Sequence, residues 1–122
     1  MRFFKCDLCG NITTALSDVK GPLSCCGQGM TELKPGTTDA AQEKHVPVVQ
    51  VAGDTVTVKV GSAEHPMTDA HFIEWIVIET DKGCQCRKLT PSDAPKATFK
   101  LAEGETLKAT YAYCNLHGLW EA

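Results

Sequence analysis

The sequence lacks the features of membrane and secreted proteins. No apolar run approaches the ~20 residues needed to span a bilayer, so we expect no membrane segment. The N-terminal stretch MRFFKCDLCGN contains no apolar core of signal-peptide length. We therefore expect a cytoplasmic protein.

Positive charge is also scarce. The 122 residues include 12 lysines and arginines against 15 aspartates and glutamates, which gives a formal net charge of −3. Domains that bind nucleic acid are usually basic, so we expect no nucleic acid partner. The apolar content of 43% is ordinary for a globular chain, and the length allows one domain with at most a very small second one.

Helical periodicity is absent, whereas short β patterns recur. TVTVKV (55–60) alternates valine with polar residues, and HFIEWIVIET (71–80) is apolar on both sides near its middle. Further strand candidates lie at 1–5, 12–16, 46–51, 97–101 and 106–114. This pattern predicts an all-β protein built as an antiparallel β-sandwich, preceded by a polar linker at 34–42.

Histidine is missing from the first 44 residues, where four of the seven cysteines lie. In a reducing compartment, clustered cysteines indicate metal ligands before they indicate disulfides. Cysteine therefore predominates over histidine in the N-terminal part of the chain, and all four histidines lie in the remainder. This asymmetry predicts two different sites.

The front cluster combines Cys6-x2-Cys9, followed by Gly10, with the adjacent pair Cys25-Cys26. Four thiolates can enclose one metal ion, and a unit of fewer than ~40 residues usually needs a metal or disulfides to fold. Adjacent side chains point in different directions, so the second pair would chelate only with strain. The spacing alone slightly favours zinc over iron, and disulfides or free thiols are the alternatives.

Each histidine flanks a predicted strand, and one of them belongs to the motif Cys114-x2-His117. A single histidine beside a proline, such as His65, is more often an exposed loop residue than a ligand. Together, however, four imidazoles and one thiolate would leave one octahedral position open. Zinc is satisfied by four ligands, so this set favours a redox-active iron that admits a small molecule.

The chain resembles desulfoferrodoxin, the two-iron form of superoxide reductase. The matching stretches, which run along nearly the whole chain, are FKCDLCGN, CCGQGM, EKHVPV, VGSAEHPMT, HFIEWI, TPSDAPKATF and YCNLHGLW. The resemblance implies a desulforedoxin-like domain at 1–36 and an immunoglobulin-like antiparallel β-sandwich at 37–122.

The resemblance also implies two iron ions per chain. The first would be bound by Cys6, Cys9, Cys25 and Cys26, with iron in place of the zinc that the spacing slightly favours. The catalytic iron would be bound by His45, His65, His71, Cys114 and His117, with the cysteine as axial thiolate. Lys44 would serve catalysis beside the site, and Glu43 would become the sixth ligand in the ferric state.

The implied activity is the one-electron reduction of superoxide to hydrogen peroxide, which protects against oxidative stress. A rubredoxin-like electron donor, a homodimer and a calcium ion at the dimer interface are further expectations of the resemblance. A two-iron electron carrier and a zinc-stabilised interaction module are the competing hypotheses. Glu43 and Lys44 favour the enzyme, because a carrier gains nothing from an open position beside a lysine.

Cys84 and Cys86 belong to neither ligand set. They follow Gly83 in DKGCQCRK, where the sequence predicts a hairpin turn. A Cys-x-Cys pair can bind a metal ion or form a strained disulfide. The simpler interpretation is that both are exposed thiols in a variable turn.

Overall fold

The computed structural model describes all residues, 1–122. The chain forms two compact units, Met1–Lys34 and Pro35–Ala122. Every pair of neighbouring strands is antiparallel, and the one helix is a single turn, so the predicted all-β class is confirmed. No helix has the length and apolar character required to cross a membrane.

The first unit consists of five very short strands. These are β1 (Phe3–Lys5), β2 (Ile12–Thr14), β3 (Ser24–Cys25), β4 (Gln28–Gly29) and β5 (Thr31–Leu33). One sheet has the order β2-β1-β5, and β3 pairs with β4 in a hairpin. With so little regular structure, the unit is of the size that normally depends on a metal ion for its stability.

The second unit contains two sheets of three and four strands. Its elements are α1 (Gln42–His45), β6 (Pro47–Ala52), β7 (Thr55–Val60), β8 (Ile73–Thr80), β9 (Cys84–Lys88), β10 (Lys96–Lys100), β11 (Leu107–Cys114) and β12 (Gly118–Glu121). The sheets have the orders β10-β7-β6 and β12-β11-β8-β9. This arrangement is the antiparallel sandwich that the strand pattern predicts.

The core of the second unit lies between these two sheets. The alternation of TVTVKV places the three valines of β7 on one buried face, while its threonines and lysine point away. Isoleucines of β8 meet them from the other sheet, including Ile76 and Ile78, both of which are fully buried. Burying a side chain of this size contributes about 1.5–3 kcal/mol.

A bulge interrupts the pairing of β8 with β11 next to the site described below. Tyr113 pairs with Trp75, but Cys114 pairs with Ile73, so Glu74 is the extra residue on β8. A bulge re-aims the side chains that follow it and is common beside functional sites. Here the bulge lets Cys114, the last residue of β11, point into the core.

Three local predictions are wrong. His45 ends the one-turn helix α1 instead of lying in a loop, and Cys84 and Cys86 lie in strand β9 instead of a turn. The strand that ends at Cys114 is followed by a further strand, β12. Each missed element is four or five residues long, which is too short for its periodicity to stand out.

Candidate metal centres

The four cysteines of the first unit converge. The sulfur atoms of Cys6, Cys9, Cys25 and Cys26 lie within 4.8 Å of one another. Cys25 Sγ is 3.6 Å from Cys9 Sγ and 3.9 Å from Cys26 Sγ. A metal ion bound tetrahedrally at about 2.3 Å from each sulfur separates the sulfurs by about 3.8 Å. The four thiols therefore fit one tetrahedral metal ion.

Backbone conformation explains how the adjacent pair can chelate. Cys26 has a φ of +54° and is the only residue other than glycine with a positive φ. A left-handed conformation costs a residue with a side chain roughly 1–2 kcal/mol. It turns the Cys26 side chain toward the same point as Cys25, and metal binding would offset the strain.

The loop around Cys6 prepares its sulfur for a metal ion. The Cys6 carbonyl accepts a hydrogen bond from Gly10 N–H at 2.9 Å, and the Cys9 N–H donates to Cys6 Sγ at 3.5 Å. The Cys9 N–H stabilises the thiolate and lowers the pKa of Cys6 to about 7, against the opposing effect of burial. The thiolate is the form that binds metals.

In the second unit, four imidazole rings form a square. Around it, in the order His45, His65, His71 and His117, neighbouring ring centroids are 4.6 to 5.0 Å apart and neighbouring ring planes are inclined by 77° to 85°. Across the square, the rings of His45 and His71 are 6.3 Å apart and inclined by only 30°. Each ring thus stands edge-on to its neighbours around a common centre.

The ring nitrogens lie at distances suited to one metal ion. His45 Nε2 is 3.1 Å from His117 Nδ1 and 3.3 Å from His65 Nε2. Nitrogens bound at about 2.1 Å and at right angles to each other are separated by about 3.0 Å. These pairs therefore have the separation of neighbouring equatorial ligands.

Outer hydrogen bonds fix the tautomers of two rings. The Nδ1 atoms of His45 and His65 lie 2.7 Å from the carbonyl oxygens of Ala41 and Pro66, respectively. A carbonyl only accepts, so each Nδ1 carries the proton, and each Nε2 lone pair is free to bind a metal ion. His71 Nε2 is buried without any hydrogen-bond partner, which a bound metal ion would explain.

The environment favours the neutral form of three of these imidazoles. Burial lowers the pKa of His65 to about 4, although the Pro66 carbonyl opposes the shift. Burial also lowers the pKa of His45 and of His71, and the nearby charge of Lys44 acts in the same direction. Neutral imidazole is the metal-binding form, so a metal ion need not displace a proton from these three rings at neutral pH.

Cys114 supplies the one sulfur of this site. Its Sγ lies within 4.8 Å of the donor atoms of His45, His65 and His71, and 3.9 Å from His117 Nδ1. Burial raises the pKa of the Cys114 thiol, and backbone N–H groups of the following turn oppose that shift. A bound cation would shift the balance to the thiolate. The set of four imidazoles and one thiolate fits a six-coordinate metal with one position to spare.

Asn115 ties two ligand-bearing segments together, a role that sequence reasoning missed. Its Oδ1 accepts from Phe72 N–H at 3.0 Å, and its Nδ2 donates to the Ala70 carbonyl at 3.0 Å. These bonds hold the segment containing His71 against the turn that follows Cys114. The position of Asn115 between two ligands was the only signal in the sequence.

Trp120 is a second residue that sequence reasoning missed. Its buried indole stacks on His45, and its Nε1 donates to the carbonyl of His117. The indole therefore packs against the side of the imidazole square that His45 and His117 form. In the sequence, this role is indicated by the position of Trp120 three residues after His117.

A backbone clamp holds α1, which carries Glu43, Lys44 and His45. The Glu43 carbonyl accepts from Ala63 N–H at 2.9 Å and from the Ser62 hydroxyl at 3.3 Å. Gly61 lies so close to the carbonyl oxygens of Glu43 and Lys44 in α1 that a side chain at residue 61 would clash with them. The side chains of Glu43 and Lys44 are exposed beside the buried His45.

Comparison with known proteins finds matches to both units of the chain. The family model for desulfoferrodoxin matches residues 37–122, and the model for the desulfoferrodoxin N-terminal domain matches residues 1–33. The chain is 47% identical over 123 residues to the desulfoferrodoxin homolog of Archaeoglobus fulgidus, covering 100% of this chain and 96% of that protein. It is also 47% identical over 122 residues to the desulfoferrodoxin of Syntrophotalea carbinolica, covering 100% of this chain and 95% of that protein.

The fold comparison agrees as well. The crystal structure of the superoxide reductase from Treponema pallidum superposes with a TM-score of 0.83 at 39% identity, covering 98% of this chain and 96% of that one. The resemblance read from the motifs is thus confirmed by independent sequence and structure matches. The chain belongs to the desulfoferrodoxin family.

Proposed function

We propose that this protein is a superoxide reductase that converts superoxide to hydrogen peroxide with one electron and two protons. The observation that carries the proposal is the square of four imidazoles with a buried cysteine sulfur beside it. A structural site would be complete with four ligands. Five donors with room for a sixth suit a metal that exchanges a small ligand.

We propose that the metal at both sites is iron. Iron held by the four imidazoles and Cys114 would supply the single electron that superoxide receives. The thiolate of Cys114 donates electron density toward whatever occupies the site and so supports the loss of that electron. Its burial keeps water and oxidants away from the sulfur.

Lys44 would attract the substrate. Superoxide is an anion and the chain has a net charge of −3, so the overall field is repulsive. The exposed ammonium of Lys44, one residue from His45, offsets this repulsion locally and focuses the field on the site. The same ammonium can orient a water molecule that donates a proton to the departing product.

Glu43 would act after the product leaves. It lies two residues before His45 on the one-turn helix α1, and its side chain is exposed. A carboxylate is a hard ligand, which suits the higher oxidation state of iron. We propose that Glu43 then becomes the sixth ligand of the histidine and cysteine site.

The four-cysteine site would hold the first unit together. Four thiolates complete a tetrahedral ion and leave no position for substrate. A sheet of three-residue strands cannot supply the burial that a free-standing domain needs. We propose a structural role for this iron.

Several finer expectations rest on the sequence or the family resemblance alone. We propose a rubredoxin-like protein as electron donor, a homodimer, a calcium ion at its interface and a cytoplasmic location. We also propose that residues 1–36 form the desulforedoxin-like domain and residues 37–122 the catalytic domain. Each of these proposals can fail without affecting the chemistry of the histidine site.

The product ratio tests the proposed activity. Iron-loaded protein is supplied with excess reductant and a steady source of superoxide, and peroxide, oxygen and reductant consumption are measured together. A reductase yields one peroxide and consumes one electron for each superoxide. A yield of one peroxide for every two superoxides, with release of oxygen and no use of reductant, would mean dismutation instead.

A further inference from the structure

The thiols of Cys84 and Cys86 lie on one face of β9, one of the two edge strands of the four-stranded sheet. In strand β9, Cys84 pairs with Glu79 and Cys86 pairs with Val77. Residues two apart in a strand point to the same side, so the two thiols are neighbours. Both residues are free and exposed, and neither belongs to the two clusters described above. A third pair of cysteines is therefore accessible from solvent.

The spacing of the pair suits a bridging metal ion better than a disulfide. Two residues of strand separate the Cα atoms by about 6.7 Å. Disulfides have Cα separations of up to about 6.8 Å and usually about 5.5–6 Å, so this pair lies at the upper limit and a relaxed disulfide would require its Cα atoms to move closer together. If two sulfurs bind on opposite sides of one ion at about the zinc–sulfur distance of 2.3 Å, they lie about 4.6 Å apart. Rotation of the two side chains alone can supply that distance.

The environment of Cys86 also disfavours oxidation. Although Cys86 is exposed, partial desolvation by the atoms around its sulfur raises the pKa of its thiol, and the charge of Lys88 only partly opposes the shift. A protonated thiol is a poor nucleophile toward oxidants. A soft metal ion, in contrast, displaces the proton when it binds.

We propose that Cys84 and Cys86 form a two-coordinate thiolate site for a soft monovalent metal ion of the Cu(I) type. Thiolates select Cu(I) by their softness. One Cu(I) and two thiolates carry a net charge of −1. Lys88 lies two residues beyond Cys86 on the same face and supplies the balancing positive charge.

Zinc fits this pair less well. A zinc ion would need two more ligands to complete its tetrahedron. The neighbouring carboxylate in register is that of Glu79, and it already accepts a hydrogen bond from the Tyr111 hydroxyl at 3.2 Å. A cation such as Lys88 beside the thiols further disfavours a divalent ion. The proposal is independent of the activity at the histidine site.

The test is a Cu(I) titration of the full iron-loaded chain without oxygen, in competition with a coloured Cu(I) chelator. Wild-type protein is compared with the double variant C84S/C86S, and iron is measured in the recovered protein. We expect wild type to bind one more Cu(I) than the double variant, with release of two protons and no loss of iron. Equal copper uptake by the two proteins, whether or not iron is displaced, would overturn the proposal.

Single variants separate chelation from binding by one thiol. C84S and C86S should each weaken Cu(I) binding by at least about a hundredfold, because a second ligand on the same strand acts at high effective concentration. K88Q should keep the stoichiometry and weaken binding about two- to fivefold. A single variant that binds Cu(I) as tightly as wild type would exclude chelation. A wild-type mass lower by two hydrogens, with no copper bound, would identify a disulfide instead.

Discussion

The indole of Trp120 stacks on the imidazole of His45, with ring centroids 4.9 Å apart and planes inclined by 29°. The same indole donates from Nε1 to the carbonyl oxygen of His117 at 3.0 Å. One buried side chain thus supports two neighbouring members of the imidazole square. It is a positioning residue, because it holds the rings that would bind the metal ion.

Trp120→Ala should weaken iron binding at the histidine site about 10- to 100-fold, the usual effect of removing an outer-shell partner. Trp120→Phe keeps the stacking and loses only the hydrogen bond, so its effect should be much smaller. Iron affinity is measured by competition with a chelator. Trp75→Ala is the matched control, since Trp75 stacks on Tyr113 instead. If Trp120→Ala and Trp75→Ala retain iron equally well, Trp120 has no positioning role.

Cys114→Ser should abolish the reaction with superoxide while the fold persists. Serine is similar in size, so the buried position stays filled, but its hydroxyl donates far less electron density than a thiolate. The rate of superoxide loss is measured on protein reduced beforehand, with circular dichroism as the check on folding. Cys86→Ser removes an exposed thiol and should react at the wild-type rate. Wild-type turnover by Cys114→Ser would contradict the role of the sulfur.

Lys44→Ala should slow the capture of superoxide at low ionic strength by about tenfold and flatten its dependence on salt. Lys44→Arg keeps the charge and should preserve most of the rate. Lys82→Ala is the matched control. It makes the same change in net charge, but at the Thr80–Gly83 turn, at the opposite end of β8 from His71. An unchanged second-order rate constant for Lys44→Ala at low salt would count against steering.

Gly61→Ala should displace α1 and with it His45 and Lys44. A Cβ at residue 61 would clash with the Ala63 carbonyl oxygen and would lie 2.8 Å from that of Lys44. Gly53 also has a positive φ, but a Cβ there meets nothing within 4 Å.

Gly53→Ala should therefore show the cost of the backbone conformation alone, roughly 1–2 kcal/mol in the free energy of unfolding. Gly61→Ala should cost more than this and should also lower iron affinity at the histidine site. Urea unfolding and chelator competition measure the two effects. Equal behaviour of the two alanine variants would show that the close contact with α1 has no consequence.

Removing the metal from the four-cysteine site should unfold the first unit selectively. Its strands are short, whereas the second unit has its own core between two sheets. In Cys9→Ser, the amides of Phe3–Lys5 should lose protection from hydrogen exchange, and those of Thr55–Val60 should keep it. Full protection of Phe3–Lys5 in the metal-free unit would remove the argument for a structural ion.

The sequence alone predicts the strands whose pattern is strong. Thr55–Val60 alternates cleanly and matches its predicted bounds. Strand β9 was missed because CQCRK has little apolar character, and its place in the sheet depends on pairing with β8. Helix α1 was missed because a single turn has no periodicity, and its position depends on the clamp from residues 61–63.

The ligand types of the two sites were predictable, but their surroundings were not. Cysteine and histidine are rare and chemically distinctive, so their spacing and the family motifs lead to the clusters directly. Trp120, Asn115 and Gly61 act through contacts with residues distant in sequence. Nothing local distinguishes a tryptophan that stacks on a ligand from one in an ordinary core. These residues became visible only when the folded chain brought them beside the site.

One pulse of superoxide on fully reduced protein, with its iron content measured beforehand, tests the reductase activity most directly. We expect two irons per chain, and oxidation of the histidine and cysteine site as fast as superoxide disappears. The rate constant should approach the diffusional range of about 10⁸–10⁹ M⁻¹s⁻¹, with one peroxide formed per superoxide. Zinc in place of iron, or a reduced site left unoxidised while superoxide decays at its spontaneous rate, would mean that the protein is not a superoxide reductase.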